Sequence, residues 1–264
     1  MTTKSNELIF AIIVLYNKNY KDSLTYQSVK EQNFLHLIIC DNSTADFGNN
    51  ELLAMDGITY VDMGGNKGLS KAYNRGIDTI TEKQGILCLF DDDTEIPGDY
   101  FAKVRKYFRE IPADIYLPMV YDDVGLMSPG VMKKYICYRA HSLSDLPPNE
   151  FTGINSGMAL KLALFENYRY DEHIFLDYID HNFIREMRNI GKSMVIMKDV
   201  SLHQTFSDVV NSKASAITRF KILKKDLKYF YRGSFRSYLI YCYVIGKRSI
   251  KLCLKYKTFE FLFL

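Results

Sequence analysis

Three aspartates stand side by side at Asp91–Asp93, directly after the apolar run Ile86–Phe90. Carboxylates this close repel one another, and at the end of a buried strand water screens the repulsion poorly. A divalent cation would offset the repulsion, because Mg²⁺ and Mn²⁺ prefer oxygen ligands and often share them with substrate phosphates. The cluster indicates a metal site, although the same residues also suit a solvated turn before a helix that begins near Pro97.

A glycine-rich segment, GGNKGLSKAYNRG at 64–76, is the second candidate for binding chemistry. A helix that begins near Leu69 would present backbone N–H groups to a diphosphate, and Lys71 and Arg75 would add positive charge. The segment has neither Gly-Lys-Ser/Thr nor Gly-x-Gly-x-x-Gly, so it matches neither of these phosphate-binding motifs. On its own it is equally consistent with a glycine turn before a helix.

Other polar residues stand at the ends of predicted strands or at the start of a predicted helix. Asp41 either accepts the imide N–H of a uracil or thymine ring or closes an Asx turn. Asp177 and Asp180 fall in the first turn of a helix predicted over 178–190, as a general base or as acids that favour the helix dipole. His203 would complete the metal site as a neutral imidazole, unless it is structural.

Continuous apolar runs without alternation predict the strands that position these residues: Leu8–Tyr16, Leu35–Cys40, Ile58–Val61, Ile86–Phe90, Ile115–Val120 and Ser193–Met197. Such runs are typical of a parallel sheet that is buried on both faces. Helical segments lie between them, at Asp22–Glu31, Leu69–Thr81 and Asp99–Glu110, whereas 121–150 reads as an irregular excursion. The order predicts an α/β nucleotide-binding fold, with ligands at the carboxyl ends of the strands.

Charge is distributed unevenly along the chain. Residues 212–264 hold 13 of the 34 basic residues and only 2 of the 31 acidic ones, so this tail carries +11 and the remainder −8. Apolar residues recur at helical spacing among the lysines from Ile217 to Phe230. We expect the tail to lie on an anionic membrane surface or to pack on the body. No motif indicates nucleic-acid binding.

Other features of the composition bear on location. The five cysteines include no Cys-x-x-Cys pair, which fits a reducing cytosol better than a disulfide framework. Leu8–Tyr16 is shorter than the ~20 residues that span a bilayer, and no small-residue cleavage site follows it. We therefore interpret this run as a buried strand and not as a signal peptide.

Six segments, followed by His203, resemble the inverting nucleotide-sugar glycosyltransferases of family 2, especially their rhamnosyltransferase-like branch. They are VLYN at 14–17, CDNST at 40–44, GNKGLSKAYNRGI at 65–77, LFDDDTEIP at 89–97, NSGMAL at 155–160 and FLDYIDHNFIREMRNIG at 175–191. The resemblance covers roughly 8–205 and implies a GT-A fold, Rossmann-like with a mostly parallel central sheet flanked by helices, before a basic, mainly helical C-terminal extension. We expect 1–97 to bind the nucleotide-sugar, 98–211 to form the acceptor-binding and catalytic half of the same domain, and 212–264 to form the extension.

The resemblance also implies roles for single residues. Mg²⁺ or Mn²⁺ would be held by Asp91, Asp93 and His203, and Asp180 would be the catalytic base. Two departures stand out, because related chains often carry Gln at the position of Asp92, and 179–182 keeps one acid of a common Glu-Asp-x-Asp run. The nucleotide-sugar is expected to contact Tyr16, Asn17, Asp41, Asn66, Gly68, Lys71, Asn74, Arg75 and Asp92.

The expected donor is a dTDP- or UDP-sugar, and the expected acceptor is a glycan hydroxyl, favoured to be lipid-linked, in bacterial surface polysaccharide synthesis. We expect a cytoplasmic enzyme that is peripheral on the inner face of the cell membrane. Two alternatives stay open: a non-catalytic nucleotide-sugar-binding subunit of a transferase complex, and a sugar-nucleotide pyrophosphorylase. The sequence identifies neither the sugar nor the linkage nor the oligomeric state.

Overall fold

The computed structural model describes residues 7–32, 35–133, 136–148, 150–204 and 212–264. The strands of the described chain are β1 Ile9–Leu15, β2 Leu35–Asp41, β3 Ile58–Asp62, β4 Ile86–Asp91, β5 Thr94–Glu95, β6 Ile115–Asp122, β7 Gly125–Ser128, β8 Gly130–Lys133, β9 Ile136–Tyr138, β10 Phe151–Thr152, β11 Met158–Lys161 and β12 Met194–Gln204. The α-helices are α1 Leu24–Val29, α2 Leu69–Asp78, α3 Tyr100–Glu110, α4 Ile179–Asn189, α5 Lys213–Phe230 and α6 Phe235–Tyr256.

The main sheet has the order β3-β2-β1-β4-β11-β6-β12-β5, with β7 beside β6. The first four strands in this order are parallel, as their continuous apolar runs predict. Their register places Leu15 level with Asp41 and Val14 level with Asp91. The carboxyl ends of β1, β2 and β4 therefore meet at one edge of the sheet.

The other half makes the sheet mixed. Strand β11 lies antiparallel between β4 and β6, which is parallel to β12. This strand comes from the NSGMAL segment, whose four strand residues were too short an apolar run to predict. Its insertion places Ser156, just before the strand, beside the aspartate cluster, where its Oγ accepts a hydrogen bond from the Asp91 N–H at 3.2 Å.

Helices cover both faces of the sheet. Side chains of α1 and α3 fill one core, including Val29, Phe101 and Val104. Helices α2, α4 and α5 fill the other, and α5 contributes the buried side chains of Phe220, Leu227 and Phe230. Full burial of one such side chain contributes ~1.5–3 kcal/mol of hydrophobic free energy. The net stability of a typical protein is only ~5–15 kcal/mol, so loss of these three contacts would be serious. The first tail helix is thus part of the core.

The segment 121–150 is more regular than predicted. It contains β7, β8 and β9, and β8 pairs with β9 and β10 in a small antiparallel sheet. These strands have only three or four residues each, too few for a periodicity to be read from the sequence.

Candidate active site

The aspartate cluster lies where β4 ends and is buttressed by hydrogen bonds to its backbone. The Thr25 hydroxyl donates to the carbonyl oxygens of Asp91 at 2.6 Å and Thr94 at 2.9 Å, and the Ser23 hydroxyl donates to that of Asp92 at 2.9 Å. Because these bonds fix the backbone, the three carboxylates are held close together against their mutual repulsion.

Two different groups offset that repulsion. Asp92 receives the Lys18 ammonium at 2.9 Å and the Tyr16 N–H at 3.1 Å. The buried Gln204 amide bridges the other two carboxylates, since its Nε2 donates to Asp91 Oδ2 at 3.2 Å and to Asp93 Oδ1 at 3.1 Å. Asp92 is therefore paired with a cation, whereas the Asp91 and Asp93 carboxylates share the neutral Gln204 amide among the residues that the structure describes.

The pKa values of Asp91 and Asp93 reflect this environment. Burial raises the pKa of Asp91 to about 7, and the charges of Asp93, Asp92 and Asp180 act in the same direction. Burial also raises the pKa of Asp93, although the hydrogen bond from Gln204 opposes the change. A bound cation would favour the ionised form of both carboxyl groups.

The donor set fits a hard divalent cation. Asp91 and Asp93 supply carboxylate oxygens, and the buried Oε1 of Gln204 has no hydrogen-bond partner in the described part of the chain. A flip of the Gln204 amide, whose N and O positions are an assignment from the hydrogen-bond network, would turn this oxygen toward the carboxylates. Among the described residues no group of three or more His, Cys, Asp and Glu side chains is arranged to hold a metal ion.

His203 does not face Asp91 and Asp93. Side chains alternate along β12, so the buried Leu202 and Gln204 lie on one face and His203 on the other. The imidazole is half exposed, and its Nε2 lies 3.9 Å from Asp123. His203 was expected near this end of the sheet, but the alternation of side chains along β12 brings Gln204 to the aspartate cluster in its place.

A cavity of about 600 Å³ opens beside the cluster. Its walls come from the ends of β1, β2 and β4, from the start of α2, from the segment before α4 and from α5. Five residues expected to bind the nucleotide-sugar or the metal line it: Tyr16, Asn66, Gly68, Asp91 and Asp92. The structure thus brings together strand-end residues that are up to 76 positions apart in the chain, Tyr16 and Asp92.

The start of α2 is fitted tightly against the segment before α4. Gly68 has φ +93°, and a Cβ there would lie 2.6 Å from the Phe175 ring and 2.8 Å from the Phe175 carbonyl oxygen. The Leu69 N–H donates to that carbonyl at 2.7 Å. One of the N–H groups at this helix start is therefore already used, and the glycine is required by the close approach.

A chain of amide contacts links the glycine-rich loop to the end of β2. Asn66 Oδ1 accepts from Asn42 Nδ2 and from the Gly68 N–H, both at 3.1 Å. Asn42 Oδ1 accepts from the Lys67 N–H at 2.7 Å. This network places Asn66 in the wall of the cavity.

The other α2 candidates point elsewhere. Lys71 and Arg75 are exposed and do not line the cavity, because residues 71 and 75 lie on the solvent face of the helix. Asn74 is buried and binds the backbone N–H and C=O of Tyr170 at 2.9 and 3.0 Å. In this structure Asn74 ties α2 to the segment at 170.

Asp41 and Asn17 are engaged in the loops at the other end of the site. Asp41 accepts hydrogen bonds from the Ser43 N–H at 3.1 Å, Asn49 at 2.7 Å and the Tyr60 hydroxyl at 3.1 Å. It lines a separate cavity of about 690 Å³. Asn17, which has φ 52°, accepts from the Thr44 N–H at 2.8 Å. The Asx turn is therefore present, and the Asp41 that closes it still lines the cavity of about 690 Å³.

Asp180 lies in the first turn of α4, as predicted, whereas Asp177 precedes the helix. Asp177 forms a two-bond ion pair with Arg219 of α5, through Arg219 Nη1 and Oδ2 and through Nη2 and Oδ1. Asp180 is near enough to the cluster for its charge to raise the pKa of Asp91, although Asp180 lines neither of the two cavities beside α5. Asp177 and Asp180 thus have different surroundings.

Helix α5 supplies residues of the candidate site that the sequence did not indicate. The fully buried Asp226 accepts hydrogen bonds from the N–H groups of Phe175, Leu176 and Asp177, each at 2.8 Å. Residues 214, 215, 218, 219 and 222 of α5 line the cavity. The available signal was Asp226 itself, one of only two acids in the basic tail.

Comparison with known proteins agrees with this geometry. The Glycosyl transferase family 2 profile matches residues 10–169. A dTDP-rhamnosyl transferase, RfbF of Shigella flexneri, is 27% identical over 210 residues, which are 77% of this chain and 71% of that protein.

Solved structures resemble the fold at lower identity. TarS 1–349 of S. aureus has a TM-score of 0.55 at 14% identity, over 86% of this chain and 66% of that one. GalNAc-T7, solved with UDP, GalNAc and Mn²⁺, has a TM-score of 0.57 at 14% identity, over 76% of this chain and 44% of that one. The chain spans less than two thirds of either structure.

The fold and the cavity define a glycosyltransferase of the GT-A class. The chain belongs to Glycosyl transferase family 2, and the predicted family, fold and enzyme class are confirmed. The pyrophosphorylase and the non-catalytic subunit have no support among these similarities.

Proposed function

We propose that the enzyme transfers a sugar, with inversion, from a dTDP- or UDP-sugar to a hydroxyl group of a lipid-linked glycan acceptor in bacterial surface polysaccharide synthesis. The observation that carries the proposal is the single cavity that joins the aspartate cluster, the Asn66–Gly68 loop and α5. The similarity to the dTDP-rhamnosyl transferase supports a dTDP-sugar donor, and the structure of TarS 1–349 in complex with UDP supports the same class of ligand.

Each residue has a distinct task in this proposal. Asp91 and Asp93, with Gln204 beside them, would hold Mg²⁺ or Mn²⁺, which stabilises the charge of a departing nucleoside diphosphate. Asp180 would accept the proton of the acceptor hydroxyl as that oxygen attacks the anomeric carbon. Lys18 pairs with Asp92 at 2.9 Å, so the proposal assigns the metal to Asp91 and Asp93.

Asp180→Asn tests the base, and Asp78→Asn at the end of α2 is the control. Loss of a general base costs ~10²–10⁴ in rate, so Asp180→Asn should lose turnover and keep the affinity for UDP or dTDP. Asp78 is paired with Arg169 and lines neither cavity beside α5, so the control should retain far more activity. The assay screens dTDP- and UDP-sugars with Mn²⁺ and then measures turnover on lipid-linked acceptors. Near wild-type turnover in Asp180→Asn would reject Asp180 as the base.

We also propose that the tail binds the anionic membrane surface through α6. Large apolar side chains at intervals of four and seven positions form an exposed stripe along this helix: Phe235, Leu239, Tyr243, Ile250 and Leu254. Lysines flank the stripe, and each Lys or Arg near an anionic surface contributes ~1 kcal/mol. No helix in the ranges that the structure describes has the length and apolar character needed to cross a bilayer.

Sedimentation with vesicles tests the membrane proposal. The full chain should sediment with phosphatidylglycerol vesicles at low salt and be partly released at high salt, because salt screens the attraction. Ile250→Asp/Leu254→Asp should reduce binding strongly, since both side chains are more than half exposed and lie on the stripe. Equal sedimentation of the variant and the wild type would refute the role of the stripe.

A further inference from the structure

A second cavity, also of about 600 Å³, lies between α5 and α6. Five basic side chains line it: Arg219, Lys247, Arg248, Lys251 and Lys255. Its one acidic lining residue is Asp177, which Arg219 already binds. The cavity, called here the α5–α6 groove, is therefore strongly positive.

The cations of α6 are available for a ligand. Ion pairs of the tail, within the described residues, join Lys213 to Glu260, Arg219 to Asp177 and Arg232 to Asp171. Lys247, Lys251 and Lys255 recur every four positions, so their backbone positions are ~6 Å apart along one side of the helix. This row of ammonium groups suits a ligand with two adjacent phosphates.

The floor of the groove is apolar. Phe220, Leu223 and Leu252 line it beneath the cations, and all three pack in or against the main core. Inorganic phosphate would use only the cations. An apolar floor beneath a basic rim fits an anionic group that carries a hydrocarbon chain.

The groove adjoins the cavity beside the aspartate cluster, which is called here the donor cavity. Arg219 lines both cavities, and the segment 175–178 contributes residues to each. A ligand in the groove would therefore be one side chain away from the donor. The exposed stripe of α6 lies beside the row of lysines, so the groove opens next to the proposed membrane face.

We propose that the α5–α6 groove binds the diphosphate headgroup of the acceptor, with the first part of its lipid chain on the apolar floor. The cations hold the two phosphates, and the glycan extends past Arg219 toward the donor cavity. This inference rests on the proposed transfer to a lipid-linked acceptor and assigns the site that recognises it.

Binding of farnesyl diphosphate, measured by calorimetry below its micelle concentration, tests the groove without turnover. EDTA is present so that no divalent cation bridges the diphosphate to Asp91 and Asp93. Wild-type protein should bind farnesyl diphosphate at least tenfold more tightly than inorganic diphosphate. Lys247→Glu/Lys251→Glu should weaken that binding at least tenfold.

Lys221→Glu/Lys225→Glu is the matched control, because it makes the same charge change on exposed residues of α5 outside both cavities. The control should bind farnesyl diphosphate within twofold of wild type. Equal losses in the two double variants would show general attraction to the tail and overturn the proposal. Equal affinity for inorganic and farnesyl diphosphate would overturn it as well.

UDP and dTDP titrations with Mn²⁺ separate the two proposals. Both double variants should keep wild-type nucleotide affinity, because neither changes a residue of the donor cavity. If the protein binds farnesyl diphosphate in the groove but binds no nucleotide, the proposed sugar transfer fails, and the groove stands as a site for a lipid diphosphate but not as an acceptor site. If UDP displaces farnesyl diphosphate completely and Lys247→Glu/Lys251→Glu has no effect, the ligand occupies the donor cavity and the groove proposal fails.

Discussion

Asp226 should be the most sensitive position of the tail. Its carboxylate receives three backbone N–H groups at 2.8 Å, from Phe175, Leu176 and Asp177. Truncation to Ala leaves these donors without their partner, at ~1–3 kcal/mol for each that stays dry. Leu176 is partly exposed, so water will replace some of the loss, and we expect a total near the low end, ~3 kcal/mol.

The assay is thermal unfolding together with UDP affinity. At ~2–4 °C per kcal/mol for a chain of this size, Asp226→Ala should melt ~6–12 °C below wild type. Asp226→Asn keeps one acceptor oxygen and should lose about half as much. Affinity for UDP should fall in parallel, because Phe175 and Leu176 line the donor cavity.

Lys228→Ala, an exposed change on the same helix, is the control and should stay within ~0.5 kcal/mol of wild type. A melting temperature of Asp226→Ala within ~2 °C of wild type would refute the reasoning. A clear loss of stability with unchanged UDP affinity would show that the segment held by Asp226 contributes nothing to the donor site.

Three further changes probe the start of α2, the aspartate cluster and the histidine next to the proposed base. Gly68→Ala should weaken UDP binding at least ~tenfold and destabilise by ~1–3 kcal/mol, whereas Gly57→Ala, also at positive φ but in open space and outside the cavities, should keep UDP affinity. Asp93→Asn should abolish the gain in nucleotide affinity that Mn²⁺ gives over EDTA, and an unchanged gain would remove Asp93 from the metal site. Burial lowers the pKa of His181, but neighbouring charges, Asp180 first, outweigh it and raise that pKa to about 9. Because this pKa is higher in the folded than in the unfolded protein, protonation of His181 adds stability that is complete below about pH 6.5 and is lost as the pH rises through 9. The unfolding free energy of wild type should therefore exceed that of His181→Gln by an amount that shrinks from about pH 6 to about pH 9.5. A difference that grows with pH would contradict the sign.

The parallel half of the sheet could be predicted because its strands are buried on both faces. Ile9–Leu15 and Ile86–Phe90 are continuous apolar runs, and the place where their carboxyl ends meet follows from the parallel order. Strand Met158–Lys161 could not be predicted, because four residues carry no periodicity and its antiparallel place depends on partners elsewhere in the chain. The family resemblance identified the NSGMAL segment, but not its position in the sheet.

The candidate site was predicted where chemistry and strand ends coincide, and less well where orientation decides. Asp91 lies in the cavity wall and Asp93 beside it in the same cluster, but the choice between His203 and Gln204 depends on which face of β12 meets the cluster. Similarly, the amphipathic pattern of the tail indicated an apolar face without indicating its partner. The structure answers this for α5, whose apolar face is in the core, so an excision of the tail at Ser212 would expose that core.

The segment 174–177 connects the proposed donor site and the proposed base to the tail. Ser70 of α2 donates to the Ile174 carbonyl, and the Leu69 N–H donates to that of Phe175. From the other side Asp226 of α5 holds the N–H groups of residues 175–177, and Arg219 holds the Asp177 carboxylate. The chain enters α4 directly afterwards, so α2 and α5 jointly determine the position of Asp180. A displacement of either helix must therefore move the proposed base relative to the aspartate cluster.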